Sequence, residues 1–588
     1  MDMHRETRQY SVSQQNRSLT GKISGQCRIT KEVILTMFLL FIICPVFFAS
    51  CTQKDETTLP SESLQSSLGE RDEHQGEDTT GENTTAEGTT EEIVKGTSDD
   101  AEESDPTGQS AAEEQTEYTV NTAAYPEEDC YKGWDPGYAF RYTEGSRERI
   151  WEEDVVEFAN TLLSPYDGHI YLTDREFVIS TFEITRNIKP QSMNKFNPEK
   201  QRRFLSFINH ILREIPRRDD EFISYMIQEA ISGIGDVHTG IMFKQRKESY
   251  PFHFEILEDA AGNLGVYCTA TIQEYEGALG KKLLSVNHLD LDEIVRRFER
   301  IRAYENEHLH ESDIFTRGQL KYGILKYLDI VDAEEAVFAF EDGTEIRALP
   351  VEQNIKTPDK DSDGAAPLQI VELWKDADRI TDEKGDTLAY WYRIMEEDKI
   401  IYARIKSFRY FPEYEIEMEE LSTNGAYLKW DEEHQNIFEF LEELARQCIE
   451  KGADYKLVFD LRFNPGGYPF PDLKSLRRFR EAGNQIYIFI DEGSASCSCF
   501  AAYGIDEFVP NTVIVGSPSA QPVNFPLGHF PRMKFRLAEL SYFRYSNKFI
   551  YLDGNNTDDA ILPDVMMYQR YDDFIRHIDT FYEWVKNQ

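Results

Sequence analysis

Two stretches decide the fold: residues 455–467 read YKLVFDLRFNPGG, and residues 485–505 read QIYIFIDEGSASCSCFAAYGI. Each begins with a short apolar run rich in β-branched and aromatic residues, which predicts a strand buried on both faces. A third apolar run, 512–515, follows the helical pattern of 496–505. Strands that alternate with connections and helices predict parallel neighbours in an α/β layer, with ligands at the carboxyl ends of the strands.

Polar residues follow the first two strands where such a site would form. Strand 455–461 runs into a loop that ends in Gly466 and Gly467, and paired glycines allow a tight turn with accessible N–H groups. Strand 485–490 runs into a turn that carries Ser494 and Ser496 at the start of a helix. A serine there is either a plain N-cap or a nucleophile at the positive end of the helix dipole.

The eight cysteines match no zinc-site spacing and imply no disulfide framework. Cys497 and Cys499, separated by one residue, are open to two interpretations: a metal or redox pair, or small buried residues on a helix. The second is favoured because no histidine lies near them in sequence. The sequence suggests no metal and no organic cofactor.

The remaining body shows clear helical and strand patterns. His238 lies in a polar turn, GDVHTG at 235–240, where a lone histidine is usually structural. Residues 251–351 alternate as short strands around one helix, which predicts a small β-rich module. Outside the two opening stretches, helices are predicted over 199–215, 220–231, 291–302 and 432–451, and strands over 390–392 and 399–405.

The amino end is read as an export signal. Residues 33–50 form an apolar run that follows Arg28 and Lys31, as in a signal peptide. The run ends in Phe48-Ala49-Ser50-Cys51, which resembles the lipobox of bacterial lipoproteins and predicts lipidation of Cys51. An uncleaved signal anchor is the alternative, since the run is just long enough to span a membrane. Either way, the body would face outside the cytoplasm.

Charge and composition exclude one class of partner and divide the chain into segments. The net charge of -44 argues against binding to nucleic acid, because an acidic surface repels phosphates. Residues 52–124 are rich in Glu, Asp, Thr and Ser and poor in large apolar residues, which predicts a disordered spacer. The predicted organisation is a leader or anchor (1–51), the spacer (52–124), a helical part (125–250), the β-rich module (251–352) and a catalytic core (353–588).

Several segments resemble, in chain order, the tail-specific (C-terminal processing) serine peptidases. DLRFNPGG at 460–467 resembles the family's DLR-x-N-x-GG signature, and SASCS at 494–498 resembles its S-A-S-A-S nucleophile turn. GDVHT at 235–239 resembles the D-G-H-T turn of the histidine-using branch. Weaker matches are YWY at 390–392, VGSP at 515–518 in place of G-E-P-T, LPD at 562–564, and the PDZ-like character of 251–351.

The resemblance, which covers roughly residues 200–588, implies both a fold and a set of site residues. The fold would be mixed α/β: a crotonase-like spiral core with an N-terminal helical segment and a degenerate PDZ-like module. The substrate would be a polypeptide, and the oligomeric state stays open. Carried over, the site comprises Ser496 as nucleophile, His238 as general base, Gly466 or Gly467 with the N–H of Cys497 as oxyanion hole, and Asp558 or its neighbour Asp559 as acidic orienter.

The sequence also departs from the family pattern. Classical members carry a lysine some two dozen residues after the serine, but residues 516–530 contain none, which favours a serine–histidine pair. The expected T-G-G is replaced by Ser-Ala-Gln at 519–521, and Cys499 stands where many members have Glu. Two functions are therefore weighed: an extracytoplasmic peptidase, and a catalytically silent surface protein that binds a peptide or small apolar ligand in the same groove.

Overall fold

A computed structural model describes most of the chain from residue 131 onward. The predicted leader, the spacer and Cys51 lie outside the described residues. None of the helices it describes is long and apolar enough to cross a membrane. The described ranges are 131–175, 177–178, 192–243, 248–316, 320–352, 368–374, 389–409, 437–468, 473–529, 535–538, 540–549 and 559–588.

The fold is mixed α/β, with several small sheets and helices. The α-helices are α1 Arg147–Leu163, α2 Pro198–Glu214, α3 Asp220–Ser232, α4 Leu291–Phe298, α5 Tyr322–Tyr327, α6 Ile437–Lys451, α7 Leu473–Ala482, α8 Cys497–Phe508, α9 Tyr571–Phe574 and α10 Thr580–Lys586. The strands are β1 Phe177–Val178, β2 Ser192–Met193, β3 Gly240–Phe243, β4 Phe252–Glu258, β5 Leu264–Ile272, β6 Leu283–Val286, β7 Leu289–Asp290, β8 Ala336–Phe340, β9 Glu345–Ala348, β10 Ile370–Glu372, β11 Tyr390–Met395, β12 Ile400–Ile405, β13 Phe408–Arg409, β14 Lys456–Asp460, β15 Gly467–Tyr468, β16 Gln485–Ile490, β17 Thr512–Gly516, β18 Pro526–His529, β19 Leu540–Phe549 and β20 Val565–Met566.

A six-stranded sheet carries the site. Its strand order is β11-β12-β14-β16-β17-β20, and every pair except β11 with β12 is parallel. The prediction of parallel neighbours is therefore confirmed. Strand β16 lies inside the sheet, between β14 and β17. Its sequence suits that position, because successive apolar side chains point alternately to the two faces of the sheet, and each face is covered by an apolar layer. Ile486, Ile488 and Ile490 pack with α6 and α8, whereas Tyr487 and Phe489 pack on the opposite face with α10.

The remaining sheets lie in the part of the chain that precedes this layer. Strands β10-β5-β4 and β7-β6-β8-β9 form two small antiparallel sheets. Residues 251–351 contain the short strands that were predicted, but their described part holds two α-helices, α4 and α5, where one was predicted. Helices α1 to α3 share one hydrophobic cluster with these sheets. A further sheet, β18-β19-β3, joins the strand after α3 to two strands near the carboxyl end. This pairing brings the turn that carries His238 toward the parallel sheet.

Most predicted elements exist, and their ends differ by a few residues. The helix predicted over 291–302 is shorter and ends at Phe298, with Glu299 as its C-cap residue. The segment between β14 and β16, predicted as a connection, contains α7. In the sequence of this helix the apolar residues Leu473, Leu476 and Phe479 recur every third position. This periodic pattern is narrow and lies among many charged residues, so the helix was not predicted.

Candidate active site

Ser496 lies at the end of the turn that joins β16 to α8. Its backbone has a φ of +54°, which is rare for a residue other than glycine. The side chain makes no capping hydrogen bond to the helix, so the plain N-cap interpretation is wrong for this serine. Ser494 is structural instead: its buried hydroxyl donates to the carbonyl of Leu461 (2.8 Å) and ties the two strand ends together.

His238 lies in the turn between α3 and β3, and its Nε2 is 3.1 Å from Ser496 Oγ, a contact across 258 positions of sequence. The ring stacks on Phe525, with centroids 4.8 Å apart and planes 5° from parallel. Its backbone N–H donates to Asp236 Oδ1 (2.9 Å). Burial lowers the pKa of His238 to about 4; the charge of Arg544 adds to this, and Asp236 opposes it. The imidazole is therefore neutral at neutral pH, as a general base must be.

Asp236 holds this turn from inside the protein. Its carboxylate is fully buried and contacts His169 Nε2 (3.0 Å) and the hydroxyl of Thr239 (2.5 Å). The Nδ1 of His169 accepts a hydrogen bond from the N–H of Tyr171 (3.0 Å), so Nε2 carries the proton that Asp236 accepts. Burial alone would raise the pKa of Asp236, but the hydrogen bond from His169 holds it below its usual value. Sequence reasoning missed His169, which belongs to no motif.

The paired glycines pack directly against the serine turn. Both have positive φ, +96° at Gly466 and +131° at Gly467. A β-carbon on Gly466 would lie 2.6 Å from Ser496 Cβ and 2.7 Å from the nitrogen of Cys497, so a side chain cannot fit there. The N–H of Gly466 donates to Asn464 Oδ1 (2.8 Å) and is committed to that bond.

A buried ion cluster anchors this glycine loop. The carboxylate of Asp460 is fully buried and contacts Arg404 (2.5 Å), Arg462 (2.7 Å) and the hydroxyl of Tyr402. Arg462 also contacts Asp579 at the start of α10 (2.8 Å). Burial would raise the pKa of Asp460, but the two arginines hold it below its usual value. The charged residues of the signature therefore position the loop and do not touch the serine.

Gln521 joins the reactive pair to an acid that the sequence did not indicate. Its side chain is buried, and its Oε1 accepts the backbone N–H of Ser496 (2.8 Å). Its Nε2 lies 3.3 Å from His238 Nδ1 and donates to Glu305 Oε2 (2.6 Å). Burial and the charge of Asp236 raise the pKa of Glu305 to about 8.

The structure describes one of the two predicted orienting acids. Asp558 lies outside the described residues, as does Cys51. Asp559 is exposed, and its backbone carbonyl accepts from Asn306 (2.9 Å), while the described residues show no contact between its carboxylate and His238. Among the described residues, the carboxylates near the imidazole are those of Asp236 and Glu305, and Glu305 belongs to the β-rich part of the chain.

Cys497 and Cys499 are both buried, as the second interpretation predicted, and burial raises the pKa of Cys499 to about 12. Within the described ranges, one group places three ligand-type atoms within 4.8 Å of one another: Asp236, His238 and Glu305. Both carboxylate oxygens of Asp236 already accept hydrogen bonds, so this group is described as a hydrogen-bonding network.

Comparisons with known proteins give distant likenesses to solved structures. No protein-family model matches the chain, and no curated protein matches it. Among solved structures, mature CPAF is 11% identical, with a TM-score of 0.42, over 66% of this chain and 92% of that one. The photosystem II D1 C-terminal processing protease is 11% identical (TM-score 0.24, 63% and 94% covered), and the tricorn protease is 10% identical (TM-score 0.27, 68% and 37% covered). Likenesses of this size carry no argument about function, which has to come from the site.

Proposed function

We propose that this protein is a serine peptidase in which Ser496 is the nucleophile and His238 the general base. The observation that carries the proposal is the 3.1 Å contact between Ser496 Oγ and His238 Nε2. A nucleophile and a base within hydrogen-bond reach are the first requirement of this chemistry. The strained backbone of Ser496 and its unused capping position support the same role.

The reaction follows from these two groups. His238 Nε2 takes the hydroxyl proton as Ser496 Oγ bonds to the scissile carbonyl carbon, and the carbonyl oxygen gains the negative charge. The intermediate collapses when the carbon–nitrogen bond breaks, and Nε2 gives its proton to the leaving amine. Water then attacks the acyl-enzyme by the same route and restores the serine.

The geometry of the glycine loop reduces the number of backbone N–H groups that can form the oxyanion hole. The N–H of Gly466 already donates to Asn464 Oδ1, so it cannot donate to an oxyanion unless that hydrogen bond breaks. The proposal therefore assigns the oxyanion to the backbone N–H groups of Gly467 and Cys497. Gly466 keeps a different role, since its missing side chain lets the loop approach Ser496.

A fluorophosphonate probe tests the nucleophile directly, because it labels only an activated serine. We expect the full chain to be labelled at Ser496, and Ser496→Ala and His238→Ala to lose nearly all labelling and peptide turnover. The double variant should be scarcely worse than either single one. Ser498→Ala is the matched control, since that hydroxyl is fully buried two residues along and should not react. Undiminished labelling of Ser496→Ala would refute the assignment.

A second candidate, a silent peptide-binding protein, is favoured by one observation. The amide N–H of Gln521 faces His238 Nδ1, which leaves that nitrogen as an acceptor. A protein that stays in this arrangement would bind a peptide without cutting it. Peptide binding measured by fluorescence anisotropy, without probe labelling or turnover, would favour this candidate over the peptidase.

The same proposal includes export and tethering through Cys51, with the acidic segment 52–124 as spacer, a crotonase-like core and membership of the tail-specific family. The support is the apolar run and the lipobox-like residues before Cys51. Cys51→Ser should abolish labelling by a lipid precursor. Label that persists in this variant would favour the signal anchor.

A further inference from the structure

The orientation of the Gln521 side chain is fixed by its contact with Ser496. The backbone N–H of Ser496 is a donor, so the amide atom 2.8 Å from it has to be the oxygen. The amide nitrogen therefore faces the other way, toward Glu305 Oε2 (2.6 Å) and His238 Nδ1 (3.3 Å). Turning the amide over would place two donors face to face at Ser496.

This orientation decides which nitrogen of His238 carries the proton. Because a donor faces Nδ1, the neutral ring is stabilised with its proton on Nε2. Nε2–H then donates to Ser496 Oγ and cannot accept the serine proton. The arrangement is a resting one: a working base needs the proton on Nδ1 and an acceptor beside it.

Glu305 is the acceptor within reach. One carboxylate oxygen of Glu305 lies within 4.8 Å of a ring nitrogen of His238. Oε1 of the same carboxylate is buried without a hydrogen-bond partner among the described residues. The neighbouring Asn306 fixes the backbone by donating to the carbonyls of Ser519 (3.0 Å) and Asp559 (2.9 Å). Asp236 is not free for this role, because its carboxylate holds His169 and the His238 backbone.

We infer that Glu305 is the acidic positioning residue for His238, and that Gln521 is the side chain that separates the two in the resting site. This inference rests on the proposed peptidase function. When Gln521 moves aside, Nδ1–H donates to the Glu305 carboxylate and Nε2 is left with a lone pair for the proton of Ser496. The carboxylate then stabilises the imidazolium that forms, and it keeps its own charge throughout.

The pKa of Glu305 sets the pH above which its carboxylate can take this role. Its pKa is raised to about 8 by burial and by the charge of Asp236, against the donors of Gln521 and Val237 and the charge of Lys200. Turnover that needs the carboxylate should therefore rise with pH through about 8. The titratable and charged groups that act on this carboxyl, or are acted on by it, are Asp236, His238, Lys200, Tyr171 and Cys499.

The test compares Glu305→Gln with Glu305→Asp and with Glu307→Gln, an exposed acid on the same segment, in the full-length chain. We expect Glu305→Gln to lower kcat by about 10³-fold with KM little changed, since a neutral orienter leaves the wrong tautomer. The rise in kcat near pH 8 should disappear with it. Glu305→Asp should recover part of the loss, and Glu307→Gln should match the unaltered protein.

Gln521→Ala provides the second arm. Nitrogen-15 NMR of the imidazole should show the proton on Nε2 in the unaltered protein and on Nδ1 in Gln521→Ala. The shift should be absent in Gln521→Ala combined with Glu305→Gln. If Glu305→Gln keeps normal kcat and a normal pH profile, or if the ring proton stays on Nε2 in Gln521→Ala, the role given to Glu305 is overturned.

Failure of the peptidase proposal would give a different result. If no variant is labelled or turns over peptide, the peptidase proposal fails, but NMR still reports which ring nitrogen carries the proton. A ring proton that does not move in Gln521→Ala then overturns the inference about Glu305 by itself.

Discussion

Two buried aspartates hold the two halves of the site, and they do so with different partners. In the base turn, residues 236–239, Asp236 pairs with a histidine, His169. In the glycine loop, residues 460–467, Asp460 pairs with two arginines. Both carboxylates are fully buried and both have lowered pKa values.

The difference between these partners matters because arginine stays charged at every pH that a protein meets, whereas histidine does not. The glycine loop is therefore a fixed scaffold, and it places the backbone beside Ser496 whatever the conditions. The base turn is adjustable, since its imidazole, that of His238, takes up a proton as the pH falls toward 4. The comparison predicts that the loop governs stability and that the turn governs the response to pH.

The largest effect is expected from Asp460→Ala. Removing the carboxylate leaves Arg404 buried without this partner and Arg462 with Asp579 as its acidic partner among the described residues, and breaking a buried pair in this way costs about 3–5 kcal/mol. Urea unfolding of the full chain measures the loss. Asp454→Asn is the control, because its contact with Lys399 is exposed (3.8 Å) and such pairs contribute less than about 1 kcal/mol. Equal losses in the two variants would contradict the scaffold role.

A smaller effect is expected from Asp236→Asn. Whichever way the new amide turns, its nitrogen meets a donor, either His169 Nε2–H or the N–H of His238. We expect a loss of about 1–3 kcal/mol in the free energy of unfolding, the usual result when a buried polar partner is mismatched. Turnover should fall more steeply than stability, because the same carboxylate positions the base. A variant as stable and active as Asp454→Asn would show that the charge is dispensable.

The sequence predicted the glycine loop better than it predicted the base turn. Several contacts of DLRFNPGG are local: Asp460 pairs with Arg462 two positions away, as well as with the distant Arg404, and Asn464 accepts from Gly466. A local motif records such contacts. The base turn depends on His169, which lies 67 positions from Asp236 and belongs to no motif.

Glu305 was missed for the same physical reason. Glu305 meets Gln521 across 216 positions, and Gln521 meets His238 across 283. Only the folding of the chain brings these residues together, so no local motif indicated Glu305, and the family resemblance pointed to an acid shortly before Pro563-Asp564 instead. The pKa of His238 was likewise out of reach, since its lowering comes from burial and from Arg544.

The third prediction uses pH to separate the two regions. The pKa of His238 is about 4 in the folded protein and about 6.5 in the unfolded chain. As the pH drops from about 6.5 to about 4, the unfolded chain binds a proton that the folded protein does not, so the free energy of unfolding falls. The pKa of Asp460 is lowered too, but its stabilisation is lost only below the unfolded value of about 3.9. Of the two regions compared, the base turn is therefore the one whose stabilisation changes between about pH 6.5 and pH 4.

Urea unfolding at pH 7 and pH 4.5 measures this response, with His238→Gln as the reference. We expect the unaltered protein to lose about 1–3 kcal/mol more than the variant over this interval. The pKa values of His210 and His310 are also lowered by burial, but these residues contribute equally to both proteins. Identical losses would mean that His238 keeps its unfolded pKa in the native protein.

The smallest effect is expected at Arg544, which lies on β19 and donates to the carbonyl of Val237 (3.5 Å). Its positive charge disfavours protonation of His238, so Arg544→Gln should raise the pKa of the imidazole. NMR titration of the ring in the full chain should show a midpoint near 4 that moves up by about half a unit to one unit. Lys548→Gln, which removes an exposed charge from the same strand, should leave the midpoint unchanged. A midpoint that stays near 4 in Arg544→Gln would assign the low pKa to burial alone, and the base turn would then be adjustable only through its packing.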